Sequence, residues 1–373
     1  MLKSLLIALP MLVCGIFTVE LLLSWLHKKD VSQGWLSLWA LVATLLYGGH
    51  FFYFHHSTSW IPLSDSIYIA CNLAVYPLYL VYISTLTDSR PFSKQPLMLT
   101  LLLGPAVLLG IAAAFLYTQM TERETATFIS SYLYQGVYQD LQGLPLAQSI
   151  IHVTAHLVFA VQVVAVMVTG IRKIHRYNRQ LKYLYADTED KELAGITVIL
   201  WLFVATSLIS VFVNAIGREH FCDTLQLAFV SVVFSTLLFS IGWIGLHTYS
   251  LAKEMNQDAA PLEPQPAEAL TSSDSYILAM QFDQLMNSEQ IYLKHDLRLD
   301  AIARRLGTNR TYLLAALRQE MDTTFNEYVN RKRINFARQL ITNNPSMLKS
   351  EIAARAGYNS MSAFYRNLKT FND

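Results

Sequence analysis

Two stretches near the C-terminus repeat one plan: Asp300–Glu320 (DAIARRLGTNRTYLLAALRQE) and Lys349–Phe371 (KSEIAARAGYNSMSAFYRNLKTF). In the first, Asp300–Leu306 reads as a short amphipathic helix and Gly307-Thr308-Asn309 as a tight turn. Arg310–Glu320 is then a second helix, with Leu313 and Leu317 on one face at i, i+4. In the second, Lys349–Ala356 is the short helix, Gly357-Tyr358 the turn and Asn359–Phe371 the following helix. A short helix, a glycine turn and a second helix make the helix-turn-helix plan. Between the two units, Phe325–Ile341 (FNEYVNRKRINFARQLI) reads as a connecting helix. Its apolar side is Phe325, Tyr328, Ile334, Ala337 and Ile341.

A single helix-turn-helix is a weak signal, because helix pairs with a glycine turn are common. Two units at this separation, joined by this helix, are specific. The stretch from about Ser275 to Lys369 resembles the DNA-binding domain of AraC/XylS-type bacterial transcription regulators. The matching segments are Thr311–Leu313, Phe325–Ile334, Ala337–Ile341, Glu351–Ala353, Gly357-Tyr358 and Phe364–Arg366. They cover roughly a quarter of the chain. The resemblance implies that the second helix of each unit enters one of two successive major grooves on one face of double-stranded promoter DNA.

Helix geometry then assigns candidate roles. Ser362, Tyr365 and Arg366 share a face of the second unit's latter helix and are candidates for base edges. A bidentate Arg366–guanine contact is worth about 1–3 kcal/mol of discrimination. Ser360 and Lys369 are candidates for phosphates. In the first unit the groove-facing positions are Thr311, Leu314 and Ala315, flanked by Arg310 and Arg318 as phosphate candidates. Many family members carry polar residues where this chain has Leu314 and Ala315, which leaves these two suited to thymine methyl groups. Arg304, Arg305 and Arg338 are expected to be solvated or paired. Arg331, Lys332 and Arg333 are adjacent on a helix, so they point in different directions.

Outward from this region the composition changes twice. Residues 274–373 hold 14 of the 28 Lys and Arg against 10 of the 27 Asp and Glu. Before them, Asp258–Ser273 (DAAPLEPQPAEALTSS) contains three prolines and small or acidic residues. It reads as a solvated linker, and such a flexible segment spans about 20–25 Å on average. That separation suits control of proximity, by dimerisation, better than rigid twisting. The division expected is 1–255 as a membrane domain, 256–273 as linker and 274–373 as the double helix-turn-helix domain.

The remaining N-terminal part explains an unusual composition. The chain of 373 residues is 53% hydrophobic and only 15% charged, with a mean hydropathy of +0.32. Soluble chains carry about 25% charged residues. Seven apolar runs reach the spanning length of about 20 residues: Leu2–Leu26, Trp35–Phe54, Ser66–Thr85, Leu97–Leu116, Leu146–Ile171, Leu193–Ala215 and Leu225–Tyr249. The first could be read as a signal peptide, but it is too long and lacks a small-x-small cleavage site. The fold class expected is therefore all-α: a seven-helix transmembrane bundle followed by the double helix-turn-helix domain.

Basic residues orient the bundle. Lys28, Lys29, Arg90, Lys94, Arg172, Lys173, Arg176, Arg179, Lys182, Lys191 and Lys253 fall on one side; Lys3, Arg123 and Arg218 fall on the other. The positive-inside rule places the N-terminus outside and the linker in the cytoplasm, which for a bacterial chain means the inner membrane. Three cysteines, with Cys14 and Cys71 inside spans and Cys222 in an outer loop, predict no structural disulfide.

Within the spans, His50 lies at the outer end of the second, and His152 and His156 share a face of the fifth. They are candidate sensing residues, for a small-molecule or envelope signal. Hydrogen-bonded histidines between packed helices are the plainer expectation, and no metal site or cofactor is predicted. Glu20, Asn72 and Gln162 are the other intramembrane polar groups. Glu20 is expected to face the bundle or snorkel to the inner headgroups. The longest outer segment, Tyr117–Pro145, is expected to cap the bundle or to form part of a ligand mouth. No Ser/His/Asp constellation, phosphate loop or paired carboxylates point to an enzyme. Two function classes stand: a membrane-tethered one-component transcription regulator, and a membrane receptor or transporter whose C-terminal module binds a protein.

Overall fold

The computed structural model describes residues 2–55, 58–88, 90–139, 141–188, 192–193, 195–204, 208, 224–258 and 272–371. The chain forms two compact units. The first comprises Met1–Ile174 with Leu193–Asp258; the second comprises His175–Glu192 with Ala259–Asp373. Among the described residues both are helical, with no strand beyond one isolated bridge, Tyr185 to Arg298.

The first unit holds α1 (Leu2–Lys28), α2 (Val31–Phe54), α3 (Ile61–Thr87) and α4 (Pro96–Gln119). The short α5 (Glu122–Thr127) continues into a π-helix, Phe128–Tyr134. Then follow α6 (Gly143–Leu184), α7 (Gly195–Val204) and α8 (Thr224–Asp258). Six of these, α1 to α4, α6 and α8, are long and apolar enough to cross a membrane. Each contains one of the predicted runs. The run Leu193–Ala215 is represented by the short helix α7, and most of its remainder lies outside the described residues. Cys14 and Cys71 are buried and free; Cys222 lies outside the described residues.

Helices α1 to α4 pack in sequence order, and α8 returns against α1. The helix best covered by protein is α3, which is less apolar than α1 or α4. A lipid-facing helix must be apolar over most of its surface, whereas an enclosed one can bury polar groups that find partners. Accordingly Tyr76 of α3 donates its hydroxyl to the Phe203 carbonyl of α7 at 3.0 Å. The close approach of α8 depends on glycine. A Cβ at Gly242 would lie 2.3 Å from the Phe17 ring, and one at Gly245 would lie 2.1 Å from Leu36. Glu20 is exposed on α1, as snorkelling requires. Gln162 donates to the Leu102 carbonyl at 3.4 Å.

Helix α6 exceeds its predicted span. Its 42 residues reach about 63 Å, roughly twice the hydrocarbon core. The extension past Ile171 carries Arg172, Lys173, Arg176, Arg179 and Lys182.

The second unit contains α9 (Ser272–Ser288), a 3₁₀ turn Ile291–Leu293, α10 (Leu299–Arg305), α11 (Arg310–Met321), α12 (Phe325–Asn343), α13 (Lys349–Arg355) and α14 (Met361–Thr370). It has two small cores. Phe282 and Met286 of α9 join Leu299, Ile302, Leu313 and Leu317 in one; Ile352, Ala353, Tyr358 and Phe364 form the other. The spine between them is α12, which places Phe325, Tyr328 and Val329 in the first core and Ile334 and Ala337 in the second. Its start is fixed by a capping box between Thr324 and Glu327. Ile341 departs from the predicted apolar side: it is exposed, and its neighbour Leu340 packs against the second core instead.

Candidate functional site

The two helix-turn-helix units are built on the same backbone device. In the first, Thr308 N–H bonds the Ala303 carbonyl at 3.0 Å and Gly307 N–H the Arg304 carbonyl at 3.2 Å. In the second, Tyr358 N–H bonds Ala353 at 3.0 Å and Gly357 N–H bonds Ala354 at 3.1 Å. These pairs are the Schellman motif, which needs a left-handed residue; Gly307 has φ +68 and Gly357 φ +85. The next helix then starts at a capped residue. Asn309 accepts from Tyr312 N–H and Ser360 from Ala363 N–H, both at 3.0 Å. The turns repeat with an offset of 50 residues, and the caps with an offset of 51. Sequence reading found the recurrence of the plan but not this register.

With Leu313 aligned on Phe364, the candidate base-reading positions correspond, Thr311 to Ser362, Leu314 to Tyr365 and Ala315 to Arg366, as do the phosphate candidates Arg318 and Lys369. Thr311, Ser362, Tyr365, Arg366, Arg318 and Lys369 are all exposed. Leu314 and Ala315 are half-buried, and Leu314 packs against the first core. Three phosphate candidates have partners inside the protein. Arg310 stands 4.0 Å from Asp300, Ser360 is the α14 cap, and Arg318 donates to the Tyr183 hydroxyl at 3.3 Å.

The basic run on α12 divides into three fates. Arg331 is exposed. Lys332 reaches back to α9, bonding Asn287 at 2.9 Å and pairing with Asp283 at 3.4 Å. Arg333 is fully buried and donates to the Tyr292 carbonyl at 2.7 Å and the Lys294 carbonyl at 2.8 Å, with its guanidinium over the Tyr358 ring. Burial pulls its pKa below the ordinary value, countered in part by Tyr358, Asp187 and Asp296. Arg333 therefore ties the first core to the turn of the second unit, and it is not a DNA contact.

The segment His175–Glu192 belongs to this unit. Tyr185 and Ala186 are buried, and Ala186 joins the first core. Ala186 N–H bonds the Leu297 carbonyl at 3.1 Å. Asn326 and Asn330 of α12 donate to the Ala186 carbonyl at 2.7 and 2.9 Å. No sequence pattern pointed to this docking, because it joins residues about 140 positions apart.

In the first unit the three histidines come together. His50, His152 and His156 line one cavity of about 540 Å³, between the end of α2, the start of α3, α6 and the end of the π-helix with the turn after it. Asp65 supplies its carboxylate. Oδ2 accepts from the Tyr117 hydroxyl at 2.9 Å and lies 2.9 Å from His152 Nε2, all three groups being buried. A carboxylate only accepts, so His152 donates from Nε2. Asp65 stands one residue before the apolar run Ser66–Thr85, so a reading by spans passes over it. Tyr53 donates to the Leu133 carbonyl at 2.9 Å and Tyr134 to the Tyr53 carbonyl at 3.3 Å, holding the segment against α2. Part of Tyr117–Pro145 thus forms a cavity wall. Among the described residues no group of three or more His, Cys, Asp or Glu is placed to hold a metal ion.

Two helix-turn-helix units on one connecting helix define a DNA-binding class of domain, in a chain that also holds six apolar helices long enough to cross a membrane. Residues 302–372 match the family model described as a helix-turn-helix domain. This C-terminal region is an AraC-type helix-turn-helix domain. No curated protein and no solved structure matches the chain.

Proposed function

We propose that this protein is a one-component transcription regulator held in the bacterial inner membrane, with its helix-turn-helix domain in the cytoplasm. The observation that carries the reading is the pair of capped, exposed helices α11 and α14 on the shared spine α12. Arg366, Tyr365 and Ser362 read bases from α14, and Thr311 from α11, with Leu314 and Ala315 limited to the apolar margin of that helix. Lys369 meets phosphate from the exposed face of α14, and Arg318 and Arg310 do so once Tyr183 and Asp300 give way. The excess of basic residues on the loops that share a side with the linker supports the cytoplasmic orientation. The signal enters through the membrane unit, with the cavity at His50, His152 and His156 as its receiving site. It acts by changing the pairing of two DNA-binding domains in a homodimer. No catalytic role is assigned.

The test is to tag the full-length protein in its native cell and map its crosslinked DNA sites, beside an Arg366→Ala copy. Discrete sites that vanish in the variant support the reading. The same sites in both strains would remove Arg366 from base recognition, and no sites in either would remove DNA as the partner.

A further inference from the structure

We propose that the cavity in the first unit is a binding site for a small organic cation, a protonated amine or quaternary ammonium on an apolar body. The proposal deepens the reading of the membrane unit as the receiver of the signal and rests on it for its regulatory meaning, though not for binding itself.

Size comes first. About 540 Å³ lies within the range of roughly 300–1,000 Å³ typical of small-molecule sites. Charge comes second. The lining contains one carboxylate, Asp65, and neither lysine nor arginine. Tyr117 and His152 each give this carboxylate a hydrogen bond. The nitrogen bases of the lining are the imidazoles of His50, His152 and His156, so no fixed cation stands beside this carboxylate. A buried carboxylate is costly unless a cation meets it. A cation lowers that cost; an anion raises it. Shape comes third. Tyr53, Tyr68, Tyr132, Tyr134 and Tyr138 line the same cavity. Tyrosine faces attract cations within about 6 Å of the ring, and aromatic enclosures are the recurring receptors for ammonium groups. One wall, Tyr132–Tyr138, begins in the last turn of a π-helix, an element common at functional sites.

An ammonium group reaches such a cavity from two sources, a soluble amine or the headgroup of an amino-lipid. The experiment separates them. Full-length protein is purified into nanodiscs of phosphatidylglycerol or of phosphatidylethanolamine. Its thermal midpoint is then measured with 2-phenylethylammonium, 2-phenylethanol or 3-phenylpropionate. These probes share a phenyl body and differ in the charge of the head. In phosphatidylglycerol the ammonium should bind at least about tenfold tighter than the alcohol, as expected for a desolvated cation over aromatic faces, and the carboxylate should not bind. Asp65→Asn, which keeps the size and a hydrogen-bond acceptor, should abolish the preference. Tyr68→Leu should weaken ammonium binding alone.

Equal binding in both lipids assigns the site to a soluble amine. Weaker binding in phosphatidylethanolamine assigns it to the headgroup. Equal affinity for ammonium and alcohol, tighter binding of the carboxylate, or no shift with any probe overturns the proposal without recourse to a variant. Binding of the ammonium with no change in occupancy of the mapped DNA sites would leave the cavity as a cation site and overturn its role as the signal receiver.

Discussion

The side-chain amide of Asn326 donates to the backbone carbonyl of Ala186 at 2.7 Å. Asn330, one helical turn further along α12, donates to the same oxygen at 2.9 Å. One carbonyl from the end of the α6 region thus accepts from two residues of the spine that joins the DNA-binding units. Replacing either asparagine by alanine removes a bond from a buried site and should destabilise the second unit by about 1–3 kcal/mol. Hydrogen exchange of the full-length protein would check this: the Ala186 amide should lose protection in both variants. Unchanged exchange would mean that the docking does not depend on the asparagines.

Arg318 and Tyr183 make the same segment relevant to DNA. The Tyr183 ring lies under the Arg318 guanidinium at 5.6 Å, and its hydroxyl accepts from it. Tyr183→Leu should release Arg318 for phosphate, raising DNA affinity at low salt and steepening the salt dependence by about one charge. Titrations at several salt concentrations measure the slope. An unchanged slope would show that Arg318 does not reach the backbone.

Arg366 and Lys369 should fail differently. Arg366→Ala should relax specificity at one base position, at a cost of about 1–3 kcal/mol, while Lys369→Ala should weaken all sequences alike and reduce the salt slope by about one. Binding to a set of single-base operator variants separates the two patterns. Arg333→Met should do neither. It strips the Tyr292 and Lys294 carbonyls of their donor and should lower the free energy of unfolding by about 1–3 kcal/mol, with the salt slope of the folded fraction unchanged.

The two turn glycines offer an internal control. Both have positive φ, but a Cβ at Gly307 meets nothing within 4 Å, whereas one at Gly357 falls 2.7 Å from the Leu293 carbonyl oxygen. Gly307→Ala should cost about 1 kcal/mol, the conformational penalty alone. Gly357→Ala should cost clearly more, because backbone must shift. Chemical denaturation of the two variants gives the order, and the reverse order would refute the close approach at Gly357.

Much of this protein is local and therefore legible. Apolar runs of spanning length, a glycine at each turn, and the face shared by Ser362, Tyr365 and Arg366 depend on residues a few positions apart. Helix periodicity and backbone hydrogen-bond rules decide them in the sequence itself. The recurrence of the helix pair, and its resemblance to AraC-type regulators, follow from such local features repeated at the right distance.

What only the tertiary structure decided is which distant groups meet. Asp65 lies just outside the apolar runs and carries no local signal, and only the fold brings Tyr117 and His152, on two other helices, to its carboxylate. Arg331, Lys332 and Arg333 read as three basic residues pointing in different directions, and only the Tyr292 and Lys294 carbonyls single out Arg333 as the enclosed one. Ala186 carries no signal of its own, because a backbone carbonyl has no residue type to betray it. The physical reason is common to all three. Periodicity fixes the direction of a side chain on its own helix, but the energy of a buried polar group depends on partners that the chain brings from elsewhere.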